Sequence, residues 1–78
     1  MRIALFGRAP KTQDVPYLEV VLEKLLEEEV QIGIYTPLQE IIDQIKEEEF
    51  EQLEYVVYHN DEELENFDPD FLISLGGD

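Results

Sequence analysis

This chain of 78 residues contains no cysteine, and it has only five basic residues against twenty acidic ones. The lack of cysteine excludes a disulfide framework and a thiolate metal site. The formal charge of −15 argues against nucleic-acid and anionic-membrane partners, because both require a basic surface. No apolar run is long enough to cross a bilayer, and the one at the start is too short for a signal peptide, so we expect a cytoplasmic protein.

What the chain does have is an ordinary apolar share of 44%, which is too high for a disordered acidic tail. A single domain of this length buries only about 60% of its unfolded surface, so its core is small. We therefore expect the acidic residues to lie on solvated helix faces.

Short apolar runs alternate with helical stripes along the chain, and this pattern predicts repeating β-α units. The predicted strands cover 3–6, 30–35, 55–58 and 71–75, and helical stripes run through 18–26 and 38–45. Connections of this length favour parallel pairing through right-handed crossovers. The predicted fold class is α/β: a Rossmann-like open, mainly parallel sheet of about four strands with flanking helices.

Three segments have the composition of helix starts. Asp14 is predicted to cap the first helix, and Thr36 to cap the second through a capping box closed by Gln39. Asn60 has the same capping-box spacing to Glu63 and is predicted to open one short helical turn.

Ligands of open parallel sheets bind beyond the carboxyl ends of the strands, where the strand order reverses. Two segments suit such a position: Gly7-Arg8 after the first strand, and Gly76-Gly77-Asp78 after the last, which is predicted to be a buried strand. Glycines there let backbone approach a phosphate, and an arginine can bind a phosphate or a carboxylate. The alternatives are a plain turn at each glycine and a surface charge at Arg8.

Asp78 has three possible roles that the residues alone leave open: a general base for a sugar hydroxyl, a water-mediated Mg²⁺ ligand, or a helix cap. His59 is predicted to be a turn residue, because it follows a strand and precedes Asn60-Asp61, and no second ligand stands at metal spacing. No metal-ligand set is therefore assigned. The tyrosines are predicted to be core or interface residues, since their spacing is not that of a stacking platform.

The two ends of the chain, residues 1–8 and 70–78, together with Ile34-Tyr35, resemble the N-terminal part of bacterial NAD kinases. Those kinases carry Gly-Gly-Asp-Gly-Thr after a strand of their N-terminal α/β domain. This chain contains the first three residues of that motif, up to Asp78. The resemblance implies that residues 1–78 form a truncated N-terminal nucleotide-binding domain. The family's second nucleotide-binding motif and its β-rich C-terminal domain are absent, so we expect no activity from this chain alone.

The resemblance also implies a reaction. NAD would be phosphorylated at the 2′-hydroxyl of its adenosine ribose to give NADP, with ATP or polyphosphate as donor and a divalent metal, Mg²⁺ by expectation. Asp78 would act as the base, and Gly76 and Gly77 would admit the nucleotide. The implied partners are small-molecule nucleotides and further copies of the full-length protein, as a dimer or tetramer.

Two other classes remain as alternatives. Gly-Gly-Asp is shared with lipid and sugar-phosphate kinases, although Gly7-Arg8-Ala9-Pro10 replaces the Asn-Pro-x-Ser-Gly loop usual in the lipid kinases. The other alternative is a non-catalytic acidic α/β interaction module. A receiver domain is disfavoured, because the acidic pair after the first strand and the aspartate after the third are both missing.

Overall fold

A computed structural model describes residues 1–8 and 15–75 of the chain. Within these ranges, four strands and three helices follow one another in α/β order. They are β1 (Arg2–Gly7), α1 (Val15–Glu27), β2 (Gln31–Tyr35), a 3₁₀ turn (Thr36–Leu38), α2 (Gln39–Glu49), β3 (Val56–Tyr58), α3 (Asp61–Phe67) and β4 (Phe71–Leu75). The predicted strands and their order are confirmed, and β4 has the bounds that the sequence predicts.

The four strands form one sheet in the order β3-β2-β1-β4, and every pairing is parallel. The predicted Rossmann-like α/β class is therefore confirmed. The chain moves outward from β1 to β2 and β3, then returns through α3 to the other side of β1. The strand order consequently reverses between β1 and β4.

One face of the sheet carries the core. Side chains alternate across a strand, so the buried Ile3, Leu5, Ile32 and Ile34 share a face, and they cluster with buried residues of α1 and α2. The helical members of this cluster lie on the predicted stripes: Leu18, Leu22, Leu25, Ile42 and Ile45. No charged or polar residue is among the buried residues that the structure describes, which agrees with the expected solvation of the acids.

The opposite face is covered by α3 at its centre. Gly33 of β2 lies there because it alternates with Ile32 and Ile34, and a Cβ atom built on it would stand 2.8 Å from Cε2 of Phe67. The end of α3 therefore packs directly on the backbone of β2. This position of α3 fits a crossover that passes over the face opposite to α1 and α2.

The start of β4 is joined to the start of β1 through Arg2 and Asp70. The Arg2 backbone N–H donates to the Asp70 carboxylate at 2.9 Å, and the Asp70 N–H donates to the Arg2 carbonyl at 2.7 Å. These reciprocal bonds set the register in which Gly7 pairs with Leu75 at the other end of the two strands.

Two sequence predictions, on the burial of β4 and on the capping of α2, are wrong. β4 is not buried as a whole: Phe71 and Leu72 are more than half exposed, and Leu75 is its only buried residue. Within the described residues β4 pairs on one side only, with β1, which explains its exposure.

The predicted Thr36 cap is the second wrong prediction. The Thr36 hydroxyl donates to the Tyr58 carbonyl at 3.0 Å instead of capping a helix, and Tyr35 is the N-cap residue of the 3₁₀ turn, with no side-chain cap. The predicted cap of α1, Asp14, lies outside the described residues.

Candidate functional site at the carboxyl edge of the sheet

The carboxyl ends of β1 and β4 lie side by side at the point where the strand order reverses. In open α/β sheets this reversal creates a crevice, because the connections leave the two strands toward opposite faces. The position is also where the sequence places Gly7-Arg8 and the segment that follows Leu75. The topology thus makes neighbours of the two strands, β1 and β4, that lead into the candidate segments.

Gly7 leaves no room for a side chain beside β4. A Cβ atom built on Gly7 would lie 2.2 Å from the carbonyl oxygen of its register partner Leu75. That distance is far below a van der Waals contact, and the obstacle is backbone, so no side chain other than hydrogen fits without moving a strand. Gly7 is therefore more than a plain turn residue: any other side chain at this position would collide with the backbone of β4.

Arg8 follows Gly7 directly and is exposed. Lys24 and Lys46 belong to the last turns of α1 and α2, which run back toward the amino ends of the strands, and Arg2 begins β1. Arg8 is therefore, of the arginines and lysines that the structure describes, the one at the carboxyl edge. Gly76, Gly77 and Asp78 lie outside the described residues, so their predicted roles stay predictions.

Aromatic side chains form a row across the carboxyl ends of three strands. The rings of Phe6 and Tyr35 stack with centroids 4.8 Å apart and planes 25° apart, and the Tyr35 and Tyr58 centroids are 5.4 Å apart. Exposure rises along the row, from Tyr58 at 3% through the half-buried Tyr35 to Phe6 at 42%. We call these three residues the aromatic row.

Tyr58 anchors the buried end of the row. Its hydroxyl donates to the Leu5 carbonyl of β1 at 2.8 Å. Its backbone carbonyl accepts a hydrogen bond from the Thr36 hydroxyl. Burial, together with the nearby Tyr35, raises the pKa of Tyr58 to about 12. The hydroxyl therefore remains a protonated donor at neutral pH, and β1, β2 and β3 are tied together at their carboxyl ends.

The start of α3 lies at the same edge, directly after β3. Asn60 is its N-cap, as predicted, and its side chain accepts a hydrogen bond from the Glu63 N–H at 2.9 Å. The Glu63 carboxylate accepts from the His59 N–H at 2.7 Å and lies 2.8 Å from the His59 ring Nδ1. The pKa of Glu63 is lowered mainly by its hydrogen bond to the His59 ring and secondly by its bond to the His59 backbone N–H. His59 thus lies between β3 and α3 and contacts the first turn of that helix, and α3 runs for seven residues instead of the single turn predicted.

A cleft of about 470 Å³ lies elsewhere, near the amino ends of β1, β2 and β3. Arg2, Gln31 and Phe67 are among its lining residues, and the first two bond each other through Arg2 Nε and Gln31 Oε1 at 3.0 Å. This cleft is at the amino edge of the sheet, opposite to the carboxyl edge where ligands of such sheets bind. Arg2 in the cleft is already engaged: it bonds Gln31 of β2 and forms a 3.8 Å ion pair with Asp68. We therefore place the candidate site at the carboxyl edge.

Among the described residues, no group of three or more histidines, cysteines or carboxylates is arranged to hold a metal ion. In the same parts of the chain, no helix is long and apolar enough to cross a membrane. The expectation of Mg²⁺ stays a prediction.

Sequence reasoning missed the aromatic row, although one signal for it was present. Each of β1, β2 and β3 carries an aromatic residue at or next to its last position. Because parallel strands end at the same edge, such residues become neighbours when their registers agree. The tyrosine spacing along the chain does not reveal this, since the row is assembled across strands and its exposed member is a phenylalanine.

Comparison of the chain with protein-family models, with curated proteins and with solved structures finds no match. The class of protein is defined by the structure alone. It is an all-parallel, Rossmann-like α/β fold, with a candidate ligand-binding edge where β1 meets β4.

Proposed function

We propose that this chain is the N-terminal nucleotide-binding domain of an NAD kinase, which phosphorylates the adenosine ribose of NAD to give NADP. The observation that carries the proposal is the close pairing of Gly7 with Leu75 at the reversal of strand order. Gly76-Gly77-Asp78 follows Leu75 in the sequence. A carboxylate that follows a strand at this edge is suitably located to meet a bound nucleotide.

In the proposed reaction the 2′-hydroxyl oxygen of NAD attacks the terminal phosphorus of ATP or polyphosphate. A new oxygen–phosphorus bond forms, the bond to the bridging oxygen breaks, and ADP or the shortened polyphosphate leaves. The hydroxyl proton passes to the Asp78 carboxylate, which acts as general base. A divalent metal bound to the donor phosphates would neutralise their charge.

The described residues contribute to this reaction through position and charge. Gly7 leaves room for the Leu75 carbonyl at this edge, and Arg8 places a guanidinium beside the same edge, where it can pair with phosphate oxygens. The exposed carboxylates give a chain of charge −15, so a basic group here is suited to offset repulsion of an anionic ligand. The remaining nucleotide contacts would come from a C-terminal domain.

The test is NADP formation from NAD and ATP by the enzyme that contains this chain, with Asp78→Asn as the variant. Loss of a general base lowers turnover by about 10²- to 10⁴-fold, while thermal stability should stay close to that of the parent. Asp61→Asn is the matched control, because Asp61 is an exposed carboxylate in the first turn of α3 at the same edge. Equal turnover of the two variants would refute the base assignment.

The same assay separates the alternative functions. Phosphorylation of a lipid or a sugar phosphate in place of NAD would identify another kinase that uses Gly-Gly-Asp. Absence of nucleotide binding would favour the acidic interaction module instead.

A further inference from the structure

We infer that Phe6 is the stacking surface for the adenine ring of the nucleotide, an inference that rests on the proposed function and assigns a base-binding residue to its site. Phe6 is the exposed end of the aromatic row, and Tyr35 occupies one side of its ring with a stacking distance of 4.8 Å. This contact restricts the orientation of the ring, while 42% of the residue remains accessible.

Among the described residues, the sheet surface on the far side of Phe6 is exposed. Ser74 of β4 is the register partner of Phe6, so both side chains lie on the same face, and Ser74 is exposed. A short side chain beside a large aromatic one leaves a step in the surface, where a flat ring can contact Phe6 and the Ser74 hydroxyl can donate or accept a hydrogen bond. Leu72, two residues earlier on this face, is 53% exposed and extends the apolar floor.

The surroundings favour a nucleotide base over an apolar protein segment as the occupant. Phe6 immediately precedes Gly7 and Arg8, so a base on its ring would leave the attached ribose and phosphates close to the glycine contact and the guanidinium. Base–aromatic stacking contributes substantially to nucleotide affinity and accepts any planar base. The combination of exposed aromatic ring, adjacent hydroxyl and nearby cation matches the three chemical parts of an adenine nucleotide.

Calorimetric titration of the enzyme that contains this chain, with NAD and with ATP, tests the inference. Phe6→Leu keeps an apolar side chain but removes the aromatic face, and we expect its affinity for at least one of the nucleotides to fall about tenfold, as loss of a stacked base predicts. Phe6→Tyr restores the aromatic face and should bind within about twofold of the parent. Phe6→Ile, which suits a strand better, replaces Phe6→Leu if that variant is unstable.

Two controls define the result. Phe71→Leu makes the same change at an aromatic residue that is 59% exposed, but at the amino end of β4 and on the opposite face, so it should leave nucleotide affinity unchanged. Tripolyphosphate has no base, so its affinity should be the same for Phe6→Leu and the parent.

Equal nucleotide affinity of Phe6→Leu and Phe71→Leu would overturn the stacking assignment and leave the kinase proposal intact. An equal loss of tripolyphosphate affinity in Phe6→Leu would also overturn it, because the effect would then not come from the base. Failure of the parent enzyme to bind NAD and ATP would instead remove the proposed function itself. Normal nucleotide binding through Phe6 without NADP formation would retain the stacking site and reject NAD as the acceptor.

Discussion

Replacement of Gly7 by alanine should be far more destabilising than the same replacement at Gly33. Both glycines lie in central strands, and both would bring a Cβ atom within 3 Å of a neighbour. At Gly7 the neighbour is the Leu75 carbonyl oxygen at 2.2 Å, whereas at Gly33 it is the edge of the Phe67 ring at 2.8 Å. A ring at the end of a flexible side chain can rotate away, but a paired backbone cannot.

The expected magnitudes follow from this difference. Overpacking a well-packed site costs about 1 to 3 kcal/mol, and the backbone obstacle puts Gly7→Ala at the upper end, about 3 kcal/mol. For Gly33→Ala, removal of glycine's extra freedom in the unfolded chain offsets about 0.4 to 1 kcal/mol of a smaller packing cost. The net change should therefore stay within about 1 kcal/mol. A domain of this size has a total stability of roughly 4 to 12 kcal/mol, so Gly7→Ala removes a large share of it.

Urea denaturation followed by circular dichroism measures both changes in the free energy of unfolding. The double variant Gly33→Ala/Phe67→Leu serves as a control, since a smaller residue at 67 should relieve the crowding at Gly33. If Gly7→Ala unfolds within about 1 kcal/mol of the parent, then β1 and β4 do not approach as closely as described. In that case the structural basis of the candidate site would be wrong.

Three further predictions concern stability and pH. Tyr58→Phe should lower the free energy of unfolding by about 1 kcal/mol at neutral pH, because the bond to the Leu5 carbonyl is lost. Since the folded pKa of Tyr58 is raised from 10.0 to about 12, its contribution is complete below pH 10 and is lost as the pH rises toward 12. Over that range the parent should lose about 2 to 3 kcal/mol more than Tyr58→Phe, because Tyr55, whose pKa is also raised to about 12, affects both proteins alike. Denaturation at each pH measures this difference, and equal losses would contradict the assignment. Asn60→Ala should cost about 1 kcal/mol through loss of the α3 cap, and an unchanged urea midpoint would show that the cap is not formed. Ile42→Ala, at a residue with no exposed surface, should cost about 2 to 5 kcal/mol, against less than about 0.5 kcal/mol for the exposed Glu40→Ala.

The sequence predicts the fold class well because its periodicity is local. The stripes of α1 and α2 and the bounds of β4 depend on residues a few positions apart, and these predictions are confirmed. Asn60 is also correct as a cap, since its partner Glu63 is three residues away. Such short-range signals can be interpreted without knowledge of the tertiary structure.

Features that depend on distant residues were not predictable in this way. Thr36 has every local property of a cap, but its hydroxyl donates a hydrogen bond to the carbonyl of Tyr58, 22 residues away. β4 is apolar enough to suggest burial, yet its exposure depends on where the crossover places it in the sheet. The importance of Gly7 likewise comes from its register with Leu75, which the spacing along the chain does not specify.

The candidate site shows the same division. Gly7 and Arg8 were identified from the sequence because they end the first apolar run, and the structure places them at the reversal of strand order. The aromatic row was not identified, because its three members are contributed by three strands. Its assembly requires both the strand order and the parallel register.

The most direct test of a nucleotide site at the carboxyl edge is a titration of the ¹⁵N-labelled chain with NAD and ATP, followed by amide chemical shifts. We predict that the largest changes occur at Phe6, Gly7, Arg8 and Ser74, on the two strands that meet at the reversal of strand order. Changes confined to Arg2, Gln31 and Phe67 would locate binding in the cleft at the amino edge and contradict this account.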